Sequence, residues 1–133
     1  MRIPLRALQE FADRALIECL KIPGIKGTDL ERLAEINVIL VSDRRIAELH
    51  RKFLQLPGPT DVITFQHGEV LVSLETARRN AQRFGNSLEQ EVRLNIAHGL
   101  LHLHRFNDKN STHAAEMERV QKRLIAAATK AIG

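Results

Sequence analysis

His98-Gly-Leu-Leu-His102-Leu-His-Arg-Phe-Asn-Asp108 is the stretch around which this chain is organised. A helix turns once in about 3.6 residues, so His98 and His102 lie one above the other on a single face, where two imidazoles can grip one metal ion. A chain that turns back about one helical turn past the helix end would bring Asp108 to the same ion. Three protein ligands leave the open position that a catalytic metal site requires. The pair alone has an equal alternative, because two histidines four apart on a half-buried helix also serve as packing or capping residues.

The neighbours of the pair sharpen this reading. Gly99 costs about 1 kcal/mol against alanine inside a helix, so its presence predicts a close backbone approach or tight packing beside the site. It also removes the glutamate that HExxH metalloproteases carry at that position as their general base. His104 falls about 200° around the helix from His102, and is expected to be exposed or to support the ligands rather than bind metal. His113 is the reserve third ligand if the turn after the helix is looser.

Working outward, Ser87 with Gln90 forms a capping box that opens the motif helix, predicted over residues 88–104 with Leu88, Val92, Ile96, Leu100 and Leu103 facing the core. Residues 74–84 read as a helix stopped by Gly85-Asn86. Before it, residues 61–66 and 69–73 read as two strands joined by His67-Gly68 in an antiparallel hairpin. Residues 36–41 form a nearly continuous β-branched run that suits a central strand covered on both faces. Ser42-Asp43 caps a helix over residues 44–53 with Ile46, Leu49 and Phe53 inward. At the amino end, residues 4–20 carry Leu5, Leu8, Ala12, Ala15, Leu16 and Cys19 at helical spacing, and Thr28 with Glu31 can cap a short turn over residues 29–34. A last helix over residues 112–131 is expected to bury Ala115, Met117, Val120, Leu124 and Ala128. The sum is an α+β fold of three to four short strands in one sheet with about five helices.

At 133 residues, the chain reads as a single domain able to bury a core without staples. No apolar run spans a bilayer and no signal-peptide pattern stands at the amino end, so a soluble cytoplasmic protein with no membrane partner is expected. The single cysteine, Cys19, sits among apolar neighbours and is expected to be a buried thiol with no disulfide partner. A net charge of +4 favours a polyanionic partner, while five Phe and no Tyr or Trp leave little for base stacking.

The run HGLLHL followed by RFND resembles the HGxLHLxGYDH signature of the YbeY family, the zinc-dependent endoribonucleases of ribosomal RNA maturation. Pro59-Thr-Asp-Val-Ile-Thr-Phe65 is similar to that family's PTDVLSF segment, and Gly68-Glu-Val-Leu-Val-Ser73 to its GDIVIS strand. The resemblance spans roughly residues 36–121 and includes Ser87-Leu-Glu and Met117. It implies a small mixed sheet like that of zinc metalloproteases, one Zn2+ per chain, and a partner in single-stranded RNA, either rRNA or the ribosomal small subunit.

The departures from the pattern are specific. Asp108 stands where the family has its third metal-binding histidine, Asn107 where it has aspartate, Arg105 where it has glycine, and Leu54 where it has an arginine associated with catalysis. Carboxylate oxygen binds zinc well, so His98, His102 and Asp108 remain a plausible ligand set, one that iron also uses. Leu54 cannot stabilise a phosphorane. Arg51, one helical turn earlier, is the nearest substitute, with Lys52 a weaker one, and Arg105 could clamp a phosphate with its planar fork. Asp61 either orients a ligand histidine or caps the turn before its strand. Arg78, Arg79, Arg83 and Arg93 read mostly as a charged helix face.

Three functions follow as expectations. The first is a metal-dependent, single-strand-specific endoribonuclease of rRNA maturation. The second is a non-catalytic maturation or binding factor with a structural metal, which Leu54 and the altered RFND segment would permit. The third is a minimal metallopeptidase, disfavoured by Gly99.

Overall fold

The computed structural model describes residues 4–23, 25–106 and 109–132. Five helices and a three-stranded sheet follow one another as α1 (Leu5–Leu20), β1 (Asn37–Val41), α2 (Asp43–Leu54), β2 (Val62–Thr64), β3 (Glu69–Ser73), α3 (Leu74–Phe84), α4 (Leu88–Leu103) and α5 (Ser111–Ala131), with a 3-10 turn at Leu30–Arg32 between α1 and β1. The α+β expectation holds, with three strands among the described residues.

The boundaries are set by local chemistry. Ser42, Ser73, Ser87 and Asn110 each turn a side-chain oxygen onto a backbone N–H of the helix they precede, satisfying donors that the helix itself leaves open. Ser87 and Gln90 form the full reciprocal capping box. Gly85 closes α3 at φ +73, a left-handed conformation that glycine adopts without strain.

The strand order is β1-β3-β2, with β1 parallel and β2 antiparallel to β3. The expectation of a central strand at residues 36–41 is therefore corrected: β1 is an edge, and β3 is the middle strand with Val70 to Ser73 all buried. An apolar run reports that both faces are covered, but not how many neighbours the backbone pairs with. The free edge of β1 is tied down by Gln9 of α1, whose Oε1 accepts from Val38 N at 3.1 Å and whose Nε2 donates to the Ile36 carbonyl at 2.6 Å.

The core lies between one face of the sheet and α1, α4 and α5, and α4 packs against α1, α3, α5, β2 and β3. Three side chains expected in the core are exposed instead. Leu5 is exposed at the first turn of α1, and Phe11 fills the core in its place. Ala115 is exposed near the start of α5. Phe53 is half exposed, packing edge-on against Phe65 above a cleft that also includes Ile39, Val41 and Leu49. On that outer face α2 packs against β3, and its last turn, with Phe53, is left partly open. Among the described residues no helix is long and apolar enough to cross a membrane.

Candidate metal centre

Because α4 runs through the middle of the fold, its last two turns emerge at the surface with a buried and an outward side. His98 is half-buried and His102 exposed, one turn apart on the outward side. Their rings meet edge to face, with centroids 4.5 Å apart, and their Nε2 atoms converge to 2.9 Å.

Each ring is oriented from behind. His98 Nδ1 lies 2.9 Å from Gln121 Oε1 of α5, and His102 Nδ1 lies 3.1 Å from the carbonyl oxygen of Phe106. Both partners are acceptors, so each Nδ1 carries the proton and each Nε2 presents a lone pair. Two such nitrogens 2.9 Å apart are held together by a cation between them, either a proton shared in an N–H···N bond or a metal ion. Nitrogens bound at ordinary zinc distances to one tetrahedral ion are about 3.3 Å apart, so a slight opening of the pair would admit a metal. Anchoring the remote ring nitrogen is also how metal-binding histidines are held in tautomer and orientation. The donor set therefore fits a divalent transition metal.

The turn that ends α4 builds half of this arrangement. Arg105 N donates to the His102 carbonyl at 3.1 Å and Phe106 N to the Leu101 carbonyl at 2.9 Å, the paired bonds of a Schellman motif. Arg105 occupies its left-handed position at φ 71. This fold-back delivers the Phe106 carbonyl to His102. Gly99 meets its expectation, since a β-carbon there would fall on Thr64 Oγ1 of β2. The helix thus touches the edge strand with bare backbone beside the pair.

The remaining candidates are placed as follows. Asp108 lies outside the described residues, as does Asn107. Among the described residues no third His, Cys, Asp or Glu joins His98 and His102 to form a metal-binding group. His113 stands on the first turn of α5, with Nδ1 3.2 Å from Asn110 Nδ2. Asp61 takes the local one of its two expected roles, accepting from Val62 N at 2.8 Å and from Thr60 at 3.4 Å at the start of β2. The histidine-orienting groups are instead Gln121 and the Phe106 carbonyl. Gln121 was legible only as a polar residue between the apolar positions Val120 and Leu124, and a backbone carbonyl has no sequence signature at all.

Arg51 is exposed on α2 and lines a separate cleft of about 740 Å³ with Arg44, Glu48 and the loop at Gln55 to Gly58. Leu54 is 49% exposed at the end of the same helix. Arg105 donates to the Gly27 carbonyl at 2.9 Å. His104, expected to be exposed or to support the ligands rather than bind metal, is not exposed but buried, with Nδ1 2.8 Å from Thr28 Oγ1, because the side of α4 opposite the pair is covered by the segment leading into the 3-10 turn. Burial holds the His104 pKa below its ordinary value, partly opposed by the nearby Glu31 carboxylate.

The sequence profile of the family described as Endoribonuclease YbeY matches residues 2–129. The Endoribonuclease YbeY of Bacteroides thetaiotaomicron is 38% identical over 128 residues, covering 82% of this chain and 93% of its own. That of Parabacteroides distasonis is 34% identical over 134 residues, covering 90% and 94%. A Thermotoga maritima protein solved in solution superimposes with a TM-score of 0.61 at 33% identity, over 93% of this chain and 80% of the other. Family profile, relatives and fold agree that the chain belongs to the YbeY family of endoribonucleases.

Proposed function

We propose that this chain is an endoribonuclease that cleaves single-stranded RNA in the maturation of ribosomal RNA, using one divalent metal, zinc by the character of its donors, held by His98, His102 and Asp108. The convergence of two Nε2 lone pairs, each set by an acceptor behind its ring, carries the reading. A divalent cation there would supply Lewis acidity to a phosphoryl oxygen. Gln121 and the Phe106 carbonyl keep both imidazoles in the metal-binding tautomer, and Gly99 lets β2 close against the helix beside them. Arg51 is the candidate cation for charge that develops on the phosphoryl oxygens during cleavage, where a positioned donor contributes a few kcal/mol. The exposed, uncharged Leu54 favours a second reading, a maturation factor that binds RNA without cutting it.

Elemental analysis and a cleavage assay on single-stranded RNA test both. Purified protein should contain about one equivalent of metal, lost in His98→Ala and His102→Ala, weakened in Asp108→Asn and retained in Asp108→His. Cleavage should be abolished by chelator. Metal-free protein that binds none on reconstitution overturns the centre. Metal without chelator-sensitive cleavage selects the non-catalytic reading.

A further inference from the structure

On the side of the α4 terminus away from the histidine pair, Ile25, Lys26, His104, Arg105, Phe106 and Glu116 line a cleft of about 330 Å³ that the centre above does not use. His104 is only 1% exposed, and its Nε2 has no hydrogen-bond partner among the described residues. Its Nδ1 faces Thr28 Oγ1, which already accepts from Glu31 N at 3.4 Å. Among the described residues His104 Nδ1 is the acceptor within reach of the buried Thr28 hydroxyl, so that hydroxyl donates to Nδ1, which assigns the ring proton to Nε2 and leaves a buried N–H donor unspent. Native folds rarely leave such a donor without a purpose.

Arg105 supplies the second observation. It holds the Schellman position where glycine is strain-free, and a side chain kept against its backbone preference points to a use for that side chain. Its bond to the Gly27 carbonyl spends one donor of a five-donor fork whose geometry matches phosphate oxygens. Lys26 adds a second cation, against the lining carboxylate of Glu116 and the Glu31 carboxylate near His104. The carbonyl end of a helix disfavours an anion, but here the His102 and Leu101 carbonyls are already occupied by the Schellman bonds.

We propose that this cleft is a phosphate subsite that holds a backbone phosphodiester of single-stranded RNA, with Arg105 and Lys26 as charged donors and His104 Nε2–H as the buried one. The choice of phosphodiester over free phosphate rests on the RNA-cleaving function proposed above.

Binding of a fluorescent single-stranded RNA of about twelve nucleotides, followed by anisotropy in chelator across a salt series, tests the subsite without cleavage. Arg105→Gly and Lys26→Gln should each weaken binding about three- to tenfold at low salt, and each should flatten the dependence of log affinity on log salt by about 0.7. Arg105→Gly should also unfold at an equal or higher temperature, since glycine relaxes the left-handed φ. A variant that gains stability and binds RNA with the wild-type affinity and salt slope overturns the subsite. Imidazole 15N spectra of the intact protein provide an arm that needs no variant. The His104 Nε2 resonance should shift on adding the RNA. A shift with inorganic phosphate but not RNA, or with neither, overturns the proposal in favour of a free-anion site or a structural water. Wild type that cuts no RNA, yet binds it through Arg105, refutes the nuclease reading alone; cutting with full binding by Arg105→Gly refutes the subsite alone.

Discussion

Gln121 and Gly99 show how much of this centre depends on residues that touch no substrate. Gln121→Leu keeps the volume of the side chain but removes the acceptor that holds the proton on His98 Nδ1. Loss of such an orienting partner typically costs 10- to about 100-fold in metal affinity, so competition with a chromophoric chelator should show a drop of that order while the far-UV spectrum is unchanged. Wild-type affinity in that variant would mean that the bond does not orient the ring. For Gly99→Ala two effects oppose. Helix propensity favours alanine by about 1 kcal/mol, whereas overpacking against a fixed neighbour costs about 1–3 kcal/mol. The new β-carbon falls on Thr64 Oγ1, so overpacking should win and denaturant unfolding should show a less stable protein. Removing the hydroxyl in a Gly99→Ala, Thr64→Ala double variant should recover part of the loss, a coupling that independent sites would not show.

Among the elements, the junction of α2, β3 and α3 is organised around the Asp43 carboxylate, with Glu75 of α3 accepting from Asp43 N at 2.8 Å. Asp43 accepts from the hydroxyls of Ser73 and Thr76 and pairs with Arg79 at 2.8 Å, and these contacts, the Ser73 bond foremost, lower its pKa from 3.8 to about 2. A carboxylate whose folded pKa is depressed contributes stability above its unfolded pKa and loses it as pH falls through the folded value. The Asp43 contribution, at most about 2 kcal/mol after allowing for partial exposure, should therefore disappear between about pH 4 and pH 2. Asp43→Asn should be less stable than wild type at neutral pH, and the difference should shrink through that window in chemical denaturation at stepped pH. A constant difference down to pH 2 would contradict the network. Element type was readable wherever periodicity and a stop signal coincided, as in α3 between Ser73 and Gly85 or α4 behind its capping box. Strand order was not, because β1 and β3 are both short apolar runs and only three-dimensional pairing makes β3 the shared neighbour.

At the scale of the whole molecule, one core is closed by α1, α4, α5 and the sheet, and it excludes Cys19 from solvent so fully that burial pushes its thiol up to about 12. The sequence by itself determined the α+β class, the five helices with most of their ends, the buried cysteine, and His98 and His102 on one helical face. Those follow from short-range rules: helical spacing, the hydrogen bonds of caps, and the conformational freedom of glycine. Only the tertiary structure decided which groups stand behind that face. Gln121 stands nearly three turns into the next helix, α5, and the Phe106 carbonyl arrives through a Schellman turn with arginine at the usual glycine position. The burial of His104 likewise depends on Thr28, 76 residues away in the chain. Periodicity records how a residue lies relative to its own helix axis, but packing between elements distant in sequence sets what meets it there, and such contacts leave no local trace in the order of the amino acids.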